Sequence, residues 1–139
     1  MTAYLDPTRE AFDAFKTLPR DEPIHMLNLI KLHKTARYPD GREVSGAVAY
    51  REYGRLSGPI FQRVGGQIVW RGQAQNMLIG PSDEMWDISF IAVYPHAGAF
   101  LDMVTDPDYQ GVAVKHRQAA VATSRLIRHA PLGGSGEFG

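Results

Sequence analysis

The chain has 139 residues, 44% hydrophobic and 22% charged, the proportions of one globular domain with room for a core. Its fifteen basic and fifteen acidic residues cancel and are scattered, so the electrostatic footprint of a nucleic-acid-binding surface is missing. It has no cysteine, which excludes disulfides, thiolate nucleophiles and cysteine-ligated metal centres.

The opening stretch, MTAYLDPTRE, has neither the basic start nor the apolar centre of a signal peptide. No apolar run approaches the roughly 20 residues of a membrane span. A cytoplasmic protein is therefore expected. Asp6-Pro7 reads as an N-cap and first helical position. Ala11, Phe12, Phe15 and Leu18 follow at helical spacing, and Pro19 ends the segment. Ile24 to Leu32 is a strand apolar on both alternating faces, broken only by His25, Asn28 and Lys31, and such a strand must be covered on both sides. A polar loop from His33 to Glu43 carries the turn signal Tyr38-Pro39-Asp40-Gly41.

Ser45 can cap the next helix. Ala49, Tyr53, Leu56, Ile60 and Val64 form one stripe along it; Ala47, Tyr50, Gly54, Gly58 and Phe61 form a second. Gly58-Pro59 predicts a bend, and Gly65-Gly66 a stop. Gln67 to Ile79 reads as a long strand, with Ile68, Trp70, Gly72 and Ala74 on one face and Val69, Arg71 and Gln73 on the other. Gly80 to Asp83 is a turn, and Trp86 to Tyr94 the returning strand. With the turn centred near Ser82-Asp83, Arg71 falls opposite Tyr94 and Asp87 opposite Leu78, so these two charges are not cross-strand partners.

A short helix over Ala97 to Val104 precedes a second Asp-Pro start at Asp106-Pro107. The helix that follows runs to about Val121, with Tyr109, Ala113, His116 and Ala120 on one face, and Ser124 to His129 is the last strand. The terminal GGSGEFG resembles a cloning linker, which leaves residues 1–132 as a single domain. The order β-α-β-β-α-β, with an extra N-terminal helix, is that of a ferredoxin-like α+β fold. Its strands, apolar on both faces, predict a homodimer formed by sheet-to-sheet packing.

Tyr50-x-x-Tyr53, Gly65-Gly66, Arg71-Gly72, Gly80, Trp86-Asp87, Tyr94-Pro95, Phe100, Asp106-Pro107-x-Tyr109-Gln110 and Arg117 resemble the domain of unknown function 1330 family. The resemblance covers roughly Ile24 to Ile127. It implies a dimeric α+β barrel, in which two ferredoxin-like sheets face each other and ligands sit between the sheet and helices of each monomer. The wider group includes cofactor-free monooxygenases, muconolactone isomerases, polyketide cyclases and haem proteins, so the fold alone does not fix a reaction. The N-terminal helix and the His33–Glu43 loop extend beyond a minimal member.

Polar residues that interrupt apolar stripes are the candidate site residues. His116 suits proton transfer because imidazole titrates near neutrality, although a core or interface histidine with a satisfied hydrogen bond fits the same position. A buried Tyr50 phenol can donate to a carbonyl or enolate oxygen. It and Tyr53, on neighbouring parts of one helix, equally suit a core role. Asn28, Arg71 and Asp87 are candidate substrate contacts, Trp70 and Trp86 aromatic walls, and Arg117 a carboxylate partner with a structural default. The five histidines show no HxH or HExxH spacing and no strand-linked GxGxxG occurs, so neither a metal nor a cofactor is expected. The composite expectation is a homodimer binding a partly aromatic or carboxylate-bearing metabolite, with cofactor-free acid/base chemistry of the isomerase, cyclase or monooxygenase kind. The alternative is a non-catalytic ligand-binding or structural dimer.

Overall fold

A computed structural model describes residues 3–134 and 136–139. Met1, Thr2 and Ser135, within the N-terminal stretch and the GGSGEFG tail, lie outside the described residues. Helix α1 spans Arg9–Thr17, and Thr8, not Asp6, is its cap: the Thr8 hydroxyl accepts from the Ala11 N–H at 3.0 Å. The Asp6 carboxylate is occupied elsewhere, accepting from Gln118 Nε2 at 3.2 Å.

Strand β1 (Ile24–Leu32) follows. Helix α2 (Gly46–Arg63) starts at Ser45, whose Oγ accepts from the Val48 N–H at 3.0 Å. It remains one continuous helix through Pro59. It stops where Gly65 takes φ +89°, a conformation that side chains other than hydrogen resist.

The hairpin departs from its sequence reading. Strand β2 ends at Gln73, not Ile79, and strand β3 spans Ile88–Tyr94. The cause is Asp87: its N–H donates to Ile30 O at 2.8 Å and its Oδ2 accepts from Leu32 N at 2.7 Å. These bonds draw the chain before β3 towards β1 and leave nothing for residues beyond Gln73 to pair with. Arg71 lies opposite Phe90, not Tyr94. A bulge between Ile68 and Trp70 also separates two residues that simple alternation puts on one face. Ile68 pairs with Ala92 and Arg71 with Phe90, whereas Trp70 pairs with Ile91 on the opposite face.

Helix α3 (Ala97–Val104) leads to a π-helical turn at Tyr109–Ala113 and then helix α4 (Val114–Ala120). Strand β4 (Val121–His129) begins before Ser124, because Val121 already pairs with Leu32. The antiparallel sheet has the order β2-β3-β1-β4, a ferredoxin-like α+β fold. One face packs Ile24, Met26, Ala92 and Tyr94 against the helices with Ile60, Phe100 and Tyr109. The other presents Leu27, Leu29, Ile91 and Val93, flanked by Trp70 and Ile127, which are 51% and 45% exposed. No described helix is long and apolar enough to cross a membrane.

Candidate functional site

Between the covered face of the sheet and helices α1, α2, α3 and α4 lies a cavity of about 1050 Å³. Phe12, Phe15, Phe61, Phe90, Phe100 and Met26 give it apolar walls. Among the polar side chains that line it, four come from four different elements: Asn28 from β1, Tyr50 from α2, Arg71 from β2 and Arg117 from α4. Arg128 of β4 lines it too, its guanidinium donating to Phe15 O and Pro19 O. The pleat explains Asn28, which shares a face with Met26 and Phe90. The bulge explains Arg71, and the smaller-residue stripe of α2 explains Tyr50, Gly54, Gly58 and Phe61, all of which line the cavity.

The electrostatics of this cluster favour an anion. Arg117 donates to Leu5 O and, at 3.1 Å, to Ser124 Oγ; both acceptors are neutral, so its charge is retained. Arg71 has no ion pair among the described residues. Asp6 is the one carboxylate among the described lining residues, and Gln118 holds it. Burial pushes the Tyr50 phenol well above its ordinary pKa, with nearby Tyr53 adding to the rise, while Arg117 and Arg71 pull the other way. At neutral pH Tyr50 is therefore a proton-bearing donor. Asn28 Nδ2 spends one donor on Met26 O at 3.1 Å.

Tyr53 also lines the cavity, but its hydroxyl is 2.8 Å from that of Tyr109 and the two satisfy each other. Tyr109 is a cavity residue that the sequence did not single out; its place on the same helical face as Ala113 was the available signal. Burial raises its pKa strongly, as does its Tyr53 neighbour.

His116 does not reach the cavity. It is 8% exposed, with Nδ1 2.5 Å from the Tyr38 hydroxyl and the two rings edge to face. The π-helical turn is the reason. An extra residue in a turn rotates everything beyond it by about 100° relative to a regular helix, so Tyr109 and His116 no longer share a face. His116 lines neither this cavity nor the shallower depression bordered by Asp87, so the proton-transfer role expected of it gains no support from them.

Trp70 lies on the opposite face of the sheet, its ring over Gly72, where a Cβ would meet it at 2.6 Å. Trp86 is buried outside the cavity beneath the Arg125 guanidinium, 5.1 Å from its ring centre. Asp87 serves β1, as described, and borders a shallower depression of about 770 Å³ with Lys31, His33, Lys34 and Arg71. Arg71 and Ile88 line both spaces. Among the described residues no cluster of three or more histidine or acidic side chains could hold a metal ion.

The family model described as a domain of unknown function, DUF1330, matches residues 42–130. The chain belongs to the DUF1330 family. Crystal structures of RPA0582, a protein of unknown function from Rhodopseudomonas palustris, are close to this DUF1330 chain throughout. The methylated protein is 57% identical, with a TM-score of 0.93 over 99% of this chain and 100% of its own. The second structure is 56% identical, with a TM-score of 0.90 over 96% of this chain and 100% of its own. SnoaB, a cofactor-independent oxygenase from Streptomyces nogalater, shares the fold at 17% identity and a TM-score of 0.51, over 84% of this chain and 99% of its own. No curated protein matches this DUF1330 chain.

Proposed function

We propose that this protein binds a small organic acid with a partly aromatic body. Its carboxylate, phenolate or enolate points to Asn28, Tyr50, Arg71 and Arg117, and its body fills the space between the sheet and the helices. The observation that carries this reading is that those four side chains line one cavity of about 1050 Å³ with largely aromatic and aliphatic walls. Two guanidiniums and a phenol that keeps its proton stabilise negative charge already on the ligand or developing there. The same set lacks an imidazole base, because His116 is bound to Tyr38. Ligand binding is thus the primary reading. Cofactor-free chemistry of the isomerase, cyclase or monooxygenase kind at this site would work by holding an oxyanion on the substrate, with no imidazole among the described lining residues.

The protein is further proposed to be a homodimer whose open sheet faces pack together, since Leu27, Leu29, Ile91 and Val93 are only half-buried there and Trp70 and Ile127 beside them are exposed. Its cysteine-free composition suits a reducing compartment, and the cytoplasm is the setting proposed.

A thermal-shift comparison of aromatic carboxylates with their neutral amides tests the binding reading, because a ligand specific for the folded state raises Tm. The carboxylates are expected to stabilise the protein and the amides are not. Arg71→Gln and Tyr50→Phe should each weaken the carboxylate by about tenfold or more, the usual worth of a hydrogen bond to a charged group. Equal shifts from acid and amide, or none from either, would remove the basis of the proposal.

A further inference from the structure

Gly54 stands in the middle of α2 where neither backbone nor packing calls for glycine. Its φ is not among the positive ones, and a Cβ built on it would meet nothing within 4 Å. Glycine in a helix interior is less stable than alanine, so its presence has a cost that no contact recovers. Gly58, one turn later, has the same open space but also a local reason: Pro59 follows, and a proline ring crowds the Cβ of the preceding residue when that residue is helical. Gly54 has no such neighbour. What it does have is the cavity, which it lines one turn from Tyr50. Phe61, further along the same stripe, and Phe90 of β3 complete an aromatic surround.

We infer that Gly54 is the specificity-determining position of this cavity, a bare patch of helix against which a flat, fused-ring acid lies. The inference rests on the binding reading above and deepens it. A single ring leaves most of about 1050 Å³ unfilled, and a fused-ring body held by its anionic group at the arginines and Tyr50 would cover more of the lining that Gly54 shares. Gly54 is exposed and lines the cavity, so a side chain added there would narrow it.

The test uses 8-anilinonaphthalene-1-sulfonate as the fused-ring probe and benzenesulfonate as the single-ring one, titrated calorimetrically into wild type, Gly54→Ala, Gly54→Leu and Arg71→Gln. With no ligand, Gly54→Ala is expected to raise Tm by about 3 °C, as relief of a helix-interior glycine does. Gly54→Leu should weaken the fused-ring probe by about tenfold or more, with alanine intermediate. The preference for fused over single ring should fall in both. A fall in the ligand-free Tm of Gly54→Ala would reveal a packing need for glycine and overturn the inference. So would an unchanged fused-ring affinity in both variants while Arg71→Gln still weakens it; the binding reading would then survive alone. If Arg71→Gln leaves the probe unaffected, the binding reading fails and takes the inference with it. Should Gly54→Leu not fold, the alanine variant decides.

Discussion

The contact between Tyr38 and His116 shows how one hydrogen bond commits a titratable residue to structure. The phenol keeps its proton, its pKa raised mainly by burial, so it can donate to Nδ1 of a neutral imidazole. Burial is also the largest cause lowering the His116 pKa; Lys115, Arg42 and Arg55 lower it further, and only Glu52 opposes them. A folded-state pKa below the unfolded value near 6.5 means that the unfolded chain binds the extra proton first. Stability from this contact is full above that value and declines as pH falls through it. His33 acts in the same direction, lowered by burial and then by Arg37. The expected outcome is a Tm that drops between about pH 7 and pH 5, and drops less in His116→Gln than in wild type. A variant profile parallel to the wild-type one would show that His116 is not the group responsible. Tyr50 was legible as a buried phenol from its stripe. The engagement of His116 was not, because its partner lies 78 positions away on the loop before α2.

Among the elements, α2 and its approach carry the most sequence information. Ser45 is both the expected and the observed cap, and Ser45→Ala should cost about 1 kcal/mol in urea unfolding. Gly46 beside it is more demanding: a Cβ there would lie 2.0 Å from the His33 carbonyl oxygen. That oxygen belongs to backbone and cannot rotate away. Gly46→Ala is therefore expected to lose more than about 2 kcal/mol, shown by a lower urea midpoint. A loss no greater than that of Ser45→Ala would mean that the end of β1 moves freely. The hairpin was less legible, since Met77, Leu78 and Ile79 extend the strand reading past Gln73 and only Asp87, tied to β1, ends the pairing. Leu78 and Ile79, expected in the strand, are 83% and 91% exposed.

For the whole molecule, the uncovered sheet face makes the strongest demand. The half-buried leucine, isoleucine and valine residues there, flanked by a half-exposed tryptophan, are the surface on which the proposed homodimer would pack. Light scattering at micromolar concentration is expected to give twice the single-chain mass, and Trp70→Asp, placing a charge on that face, to give the single-chain mass with the far-ultraviolet spectrum unchanged. A wild-type protein already monomeric under those conditions would rule out the sheet-to-sheet dimer. Because Trp70 and Arg71 point to opposite faces of β2, Trp70→Asp should leave carboxylate binding close to wild type wherever the monomer remains folded.

The sequence by itself determined the order of elements, the cap at Ser45, the stop at Gly65, the two-sided apolarity of the strands and the family. Each is written in neighbouring residues or in a fixed local period, which the backbone enforces without reference to the rest of the chain. Only the tertiary structure decided which polar residues share a cavity. Asn28, Tyr50, Arg71 and Arg117 line one cavity, while His116, Trp70, Trp86 and Asp87 lie outside it. Local periods fix the faces of a residue within its own element, but one inserted residue resets them. The bulge after Ile68 and the π-helical turn at Tyr109–Ala113 are two such insertions, and both arise in segments packed against residues distant in sequence.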